Sequence, residues 1–345
     1  MEHENQSMQK TAQLFFPFHQ SGLTHSQLTR TFTEVETKTC TGASHTSSVI
    51  DAHSKLSSEP GAIPLLTPPA PASAGSDARR LIVMRHGERL DRIFANWHRT
   101  AFNSAGEYVP SDMNLPQQLP ERFGGLRSFM NDSPITEMGS IMAQMVGRAL
   151  HRNDAIPRAI YCSPALRCVQ TAARVLQAMQ DPLAATPIKI RVEPGLFEWL
   201  QLYDSIPTWM SGAELTKMGV PIDAGYAPEI GVVELQKTYK SESSDQFQER
   251  MDRVFKNILQ ANPKGTVLVV AHAPTMDATR SLLGHSNKNI PRRVMERMGM
   301  NYPFCSAVIL DQTDKGNWQL SNSPLPPISN LDFTTQINGF FFNRA

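Results

Sequence analysis

Four short apolar runs constrain this chain more than any other feature: Leu81-Ile82-Val83-Met84, Ala159-Ile160-Tyr161-Cys162, Ile188 to Val192 and Val267 to Ala271. Each is too short for a buried helix and reads as a strand covered on both faces. Helical patterns fall between them. Strands alternating with helices predict a mostly parallel sheet in a three-layer α/β/α arrangement, with helices on both faces. A last pair, Ala307 to Leu310 and Trp318 to Leu320, closes that sheet.

The helices are read from caps and period. Thr136 stands at the N-cap of a helix running to about His151, with Ile141, Met145 and Leu150 on one side. Ser163-Pro164 opens a second, carrying Val169, Ala172, Val175 and Leu176. Ser243 and Gln246 have capping-box spacing, and Phe247, Met251, Val254 and Ile258 follow at helical period. Segments 90–134 and 199–242 show little period and many Pro, Gly and aromatic residues. They are expected to be insertions over the active-site end of the sheet.

Upstream of residue 80 the texture differs. Residues 1–79 hold five of the ten histidines and a proline cluster (Pro60, Pro64, Pro68, Pro69, Pro71) without sustained period, so we expect a disordered Ser/Thr/Pro-rich leader before a folded domain at 80–345. Its TPPAP run is a weak docking site for an SH3-type partner. A balance of 33 Lys+Arg against 32 Asp+Glu offers no basic field for nucleic acid. The four cysteines, Cys40, Cys162, Cys168 and Cys305, form no CxxC pair, which argues against a disulfide framework or a zinc cluster. The amino terminus lacks a signal-peptide pattern, and no run approaches the ~18 apolar residues of a membrane span. The expectation is a cytoplasmic protein that binds no membrane.

In an open α/β sheet, ligands bind beyond the carboxyl ends of the strands. After the first strand come Arg85-His86-Gly87-Glu88-Arg89. After the second come Ser163-Pro164-Ala165-Leu166-Arg167, after the third Gly195-Leu196-Phe197-Glu198, and after the fourth His272-Ala273-Pro274. Arginines crowd together at low cost only around an anion, and their forks suit phosphate oxygens. The rim therefore asks for a phosphoryl ligand. Two histidines supply a nucleophile or a donor, and Glu198 between Phe197 and Trp199 is expected to have its pKa raised by desolvation, as a general acid requires.

Arg85-His86-Gly87 at a strand end, paired with the downstream LVVAHA, resembles the histidine phosphatase (phosphoglycerate mutase-like) superfamily. The strings RHGERLDRIF, ITEMGSIMAQMVGRAL, YCSPALRCVQTA, KIRVEPGLFEW and WQLSNSPLPP resemble the phosphatase domain of the ubiquitin-associated and SH3 domain-containing proteins, suppressors of T-cell receptor signalling. Related insect steroid-phosphate phosphatases share the likeness, which covers about residues 80–345. The resemblance implies that His86 is a phosphohistidine nucleophile and Glu198 the acid. It implies that Arg85, Arg89, Arg167 and His272 hold the phosphoryl group, with no metal or cofactor. A homodimer and a phosphotyrosine protein or small aromatic or steroid phosphate as substrate follow from the same resemblance.

Two rivals are weighed. A phosphoglycerate mutase-like phosphotransferase needs the same histidine, but the LFEW placement of Glu198 counts against it. A non-catalytic phospho-ligand binder has no use for an acid beside three arginines. Phe94, Trp97, Phe123, Trp199, Tyr203 and Trp209 are expected to line the substrate walls. Asp277 is expected to face away from the pocket, Cys162 and Cys168 to be buried inert thiols, and Lys288, Arg292, Arg293 and Arg297 to be a solvated surface. His98, His151 and His285 match no site motif.

Overall fold

The structure is a computed structural model that describes residues 77–179, 187–321, 324–329 and 337–343. Residues 1–76, with Cys40 and the SH3-type docking run, lie outside the described residues. Asp77 and Arg79 already contact the domain: Asp77 accepts from Lys264 at 2.9 Å, and Arg79 donates to Gln312 at 2.9 Å and stacks over Trp318.

Six strands form one sheet in the order β3-β2-β4-β1-β5-β6, with β1 Arg80–Arg85, β2 Ala159–Cys162, β3 Ile190–Val192, β4 Thr266–Ala271, β5 Ala307–Gln312 and β6 Trp318–Leu320. The first four run parallel. Strand β5 is antiparallel to β1, and β6 to β5. Leu81 to Met84 and Leu268 to Ala271 are fully buried, as strands covered on both faces must be. Each such large side chain contributes about 1.5–3 kcal/mol by leaving water.

The three long helices form where their caps lie. Thr136 accepts from the Gly139 N–H and starts the helix Glu137–Arg152. Ser243 and Gln246 close a reciprocal box before Ser244–Ala261. In the helix Leu166–Met179, Val169, Ala172, Val175 and Leu176 are buried as expected.

The face of the first helix differs from the expectation. Ile141 and Met145 are 47% and 39% exposed, while Met142, Ala143, Val146 and Leu150 face inward. The cause is close helix packing: a Cβ on Gly147 would lie 2.3 Å from the Val175 carbonyl, so the small-residue side is the side that fits.

The segments 90–134 and 199–242 hold short helical pieces and are stitched together at the carboxyl end of the sheet. Arg122 donates to the Thr208 carbonyl at 2.6 Å, and Asn131 to Ser205 at 2.9 Å. Asp132 accepts the Leu166 N–H at 2.7 Å and faces Arg122 at 3.0 Å, which ties this insertion to the helix after β2. Among the described residues no helix is long and apolar enough to cross a membrane.

Candidate active site

Strand β1 delivers His86 to the carboxyl edge of the sheet, between β4 and β5. The Arg85 N–H donates to the Ser306 carbonyl and the His86 N–H to the Ala271 carbonyl, both at 3.0 Å, so this backbone is held from both sides. Cys305, at φ +58°, donates its N–H to the His86 carbonyl; that left-handed conformation is uncommon for a residue with a side chain. Glycine at 87 has a steric reason. A Cβ there would sit 2.9 Å from the Gly139 carbonyl oxygen, and one on Gly139 would sit 2.8 Å from the Glu88 backbone.

The His86 ring is buried, with Nδ1 2.8 Å from the Gly87 carbonyl oxygen. A carbonyl can only accept, so Nδ1 carries the hydrogen and Nε2 keeps its lone pair. Burial, and then the charges of Arg167 and Arg85, hold its pKa well below 6.5. The imidazole is neutral at physiological pH, as a nucleophile must be.

Arg167 is fully buried. Its Nη2 meets Glu198 Oε2 at 3.0 Å, the Tyr203 hydroxyl at 2.6 Å and His272 Nδ1 at 3.2 Å. Its Nε and Nη1 are buried with no hydrogen-bond partner among the described residues, and Arg85 Nε is in the same condition. Arg85 donates to the Gly299 and Tyr302 carbonyls at 2.7 and 2.6 Å and stacks on Phe304 at 4.2 Å. Burial, reinforced by neighbouring cations, brings its pKa down to about 10. Arg89 commits Nε and Nη2 to Asp91, at 2.9 and 2.6 Å. Buried guanidinium donors without partners are costly, and an oxyanion satisfies them.

His272 is buried behind Arg167. A guanidinium can only donate, so Nδ1 is bare, and Nε2 donates to Ser163 Oγ at 2.8 Å. The His86 and His272 rings lie 5.4 Å apart. Arg167, Glu198 and His272 are thus joined directly, His86 faces His272, and Arg85 and Arg89 are close enough to act on the same groups electrostatically.

Glu198 corrects an expectation. Burial does push its pKa upward, but Arg167, Arg89 and the Tyr203 hydroxyl outweigh that and hold it well below the usual carboxylate range. The free site therefore carries an ionised Glu198. Its loop is nailed down by Arg250, which pairs with Glu242 at 2.7 Å and donates to the Gly195 and Phe197 carbonyls, each at 2.7 Å.

The expected aromatic walls are also revised. Trp97 and Trp199 are core residues; Trp97 packs on Phe129, and the Trp199 indole donates to the Glu242 carbonyl. Phe123 is 92% exposed. Phe94, Tyr203 and Trp209 remain half-buried, and Phe304, which no motif marks, adds a ring 5.7 Å from His86. Asp277 is buried and accepts from the Tyr302 hydroxyl at 2.7 Å. Cys162 and Cys168 are buried free thiols whose pKa values burial pushes up, that of Cys168 to about 12. Arg292 pairs with Glu296 on an exposed surface.

This fold is that of a defined class. The chain belongs to the histidine phosphatase superfamily, whose branch 1 family model matches residues 121–209 and 222–322. That match begins downstream of Arg85-His86-Gly87. Human ubiquitin-associated and SH3 domain-containing protein B is 38% identical over 262 residues, covering 74% of this chain and 39% of that protein. Ecdysteroid-phosphate phosphatase of Drosophila melanogaster is 34% identical over 284 residues, covering 81% and 35%. The chain thus spans well under half the length of these relatives. The crystal structure of ecdysone phosphate phosphatase from Bombyx mori in complex with tungstate matches with a TM-score of 0.62 and 30% identity, over 73% of this chain and 95% of that one.

Proposed function

We propose that this chain hydrolyses phosphomonoesters in two steps through a phosphohistidine on His86, with no metal. The observation that carries the reading is the pair of buried, unpartnered Arg167 donors around a neutral histidine whose Nε2 lone pair is free. In the first step Nε2 attacks phosphorus, the bond to the leaving oxygen breaks, and Glu198, protonated as the dianionic substrate binds, gives that oxygen a proton. Arg85, Arg89 and Arg167 hold the other oxygens, with His272 behind Arg167 as the acceptor that orients its guanidinium. In the second step Glu198 takes a proton from water, which attacks phosphorus and releases His86 and phosphate. Among the described residues, no group of three or more His, Cys, Asp or Glu is placed to hold a metal ion.

The half-buried rings of Tyr203, bonded to Glu198, and of Phe304, beside His86, suit a flat, apolar leaving group such as phosphotyrosine or a steroid phosphate. Two relatives are named for ecdysteroid or ecdysone phosphate. The test is turnover of p-nitrophenyl phosphate, a phosphotyrosine peptide and a steroid phosphate by purified chain and by His86→Ala. The reading expects turnover of at least one, lost in the variant. It fails if none is hydrolysed or if the variant matches the parent.

A further inference from the structure

We propose that Tyr203 is the positioning residue of the acid: its hydroxyl fixes one oxygen of Glu198 so that the other meets the leaving group. The inference rests on the reading of Glu198 as the acid and adds a residue that the strand-end pattern does not contain.

The geometry is specific. The Tyr203 hydroxyl donates to Glu198 Oε2 at 2.6 Å and accepts from Arg167 Nη2, also at 2.6 Å. Arg167 Nη2 reaches the same Oε2 at 3.0 Å, which closes a triangle of three groups. That nitrogen carries two hydrogens and faces three acceptors: Oε2, the hydroxyl and His272 Nδ1. Arg167 alone therefore cannot hold the carboxylate in one orientation, and the Tyr203 hydroxyl supplies the second constraint. No protein hydrogen bond reaches Glu198 Oε1 among the described residues, so Oε1 is the oxygen left for proton transfer.

The ring is anchored independently of its hydroxyl. It packs on Phe197 with centroids 4.9 Å apart, and the Tyr203 carbonyl accepts from the Tyr239 hydroxyl at 3.1 Å. A phenylalanine would satisfy that packing. What distinguishes tyrosine is a buried hydroxyl that would be costly unless paired, and its partners are the proposed acid and the proposed phosphate ligand.

The test is Tyr203→Phe, Glu198→Gln and the double variant, assayed by kcat/KM on p-nitrophenyl phosphate and on an alkyl phosphate with a poor leaving group. Tyr203→Phe should lose about ten-fold or more on the alkyl ester, the scale of one hydrogen bond to a charged group, and under about three-fold on the nitrophenyl ester. In the Glu198→Gln background it should cost little on either. Equal losses on both esters, or full additivity in the double variant, overturn the role of Tyr203. Glu198→Gln losing equally on both esters overturns the acid assignment itself, a separate failure. Melting within a few degrees of the parent verifies that Tyr203→Phe is folded.

Discussion

Tungstate, a dianion across neutral pH, should draw about one proton into the site as it binds at pH 7.5. In the free protein His272 Nδ1 is bare because Arg167 donates to it, and burial and Arg167 keep that imidazole's pKa well below 6.5. Glu198, 3.7 Å from the same nitrogen, is ionised. An oxyanion entering against the free donors of Arg167 would meet a lone pair and a carboxylate. At about 4 Å and an effective dielectric constant near 20, each unit of its charge is worth roughly 4 kcal/mol, or about three pKa units. That raises the proton affinity of the His272–Glu198 pair; the proton belongs to the pair rather than to either residue. Calorimetric titration in buffers of different ionisation enthalpy reads the number directly. About one proton is expected for the parent and near zero for Glu198→Gln/His272→Asn. Binding without proton uptake by the parent would refute this electrostatic account, and with it the idea that the substrate's own charge arms Glu198.

Stability should fall as pH drops below about 6.5, because the unfolded state then binds protons that His86 and His272, with depressed pKa values, do not bind in the fold. Ionised Glu198 adds to the same trend below about pH 4.5. A Tm flat from pH 8 to 5 would contradict the histidine trend, and one flat from pH 4.5 to 3 the Glu198 trend. Gly87→Ala places a Cβ 2.9 Å from backbone, so a loss of about 1–3 kcal/mol by denaturant titration is expected, with reduced turnover. An unchanged midpoint would show that the loop yields freely. Removing residues 1–76 should leave turnover of a small phosphate ester nearly intact, whereas removing 1–79 should also lower stability by about 1 kcal/mol, because the Arg79 bonds to Gln312 and to the Leu259 carbonyl are lost. Equal behaviour of the two truncations would discount those contacts.

The sheet was legible because strands buried on both faces must be apolar runs, and the rim was legible because each run is followed at once by its polar residues. What the pattern did not carry depends on contacts between distant segments. Of the apolar side expected for the helix Glu137–Arg152, Leu150 is buried but Ile141 and Met145 face solvent, because close helix crossing favours the side of Gly139, Ala143 and Gly147, which lacks bulk. Phe197 and Trp199 beside Glu198 suggest desolvation, but the deciding charges come from Arg89 and Arg167 on other elements. Asp91, which occupies the Arg89 fork, Phe304, beside His86, and Arg250, which fixes the loop before Glu198, bear no local signature. Tyr203 was visible as a wall aromatic, whereas its hydroxyl bond to Glu198 appears only in three dimensions.

The central claim is that His86 Nε2 takes the phosphoryl group. Rapid quenching under non-acidic conditions, with a phosphate ester labelled in phosphorus, tests it most directly. The account predicts an acid-labile, base-stable adduct that maps to the peptide containing His86, forms within one turnover and is absent from His86→Ala. Label on another residue, or full turnover by His86→Ala, would contradict it.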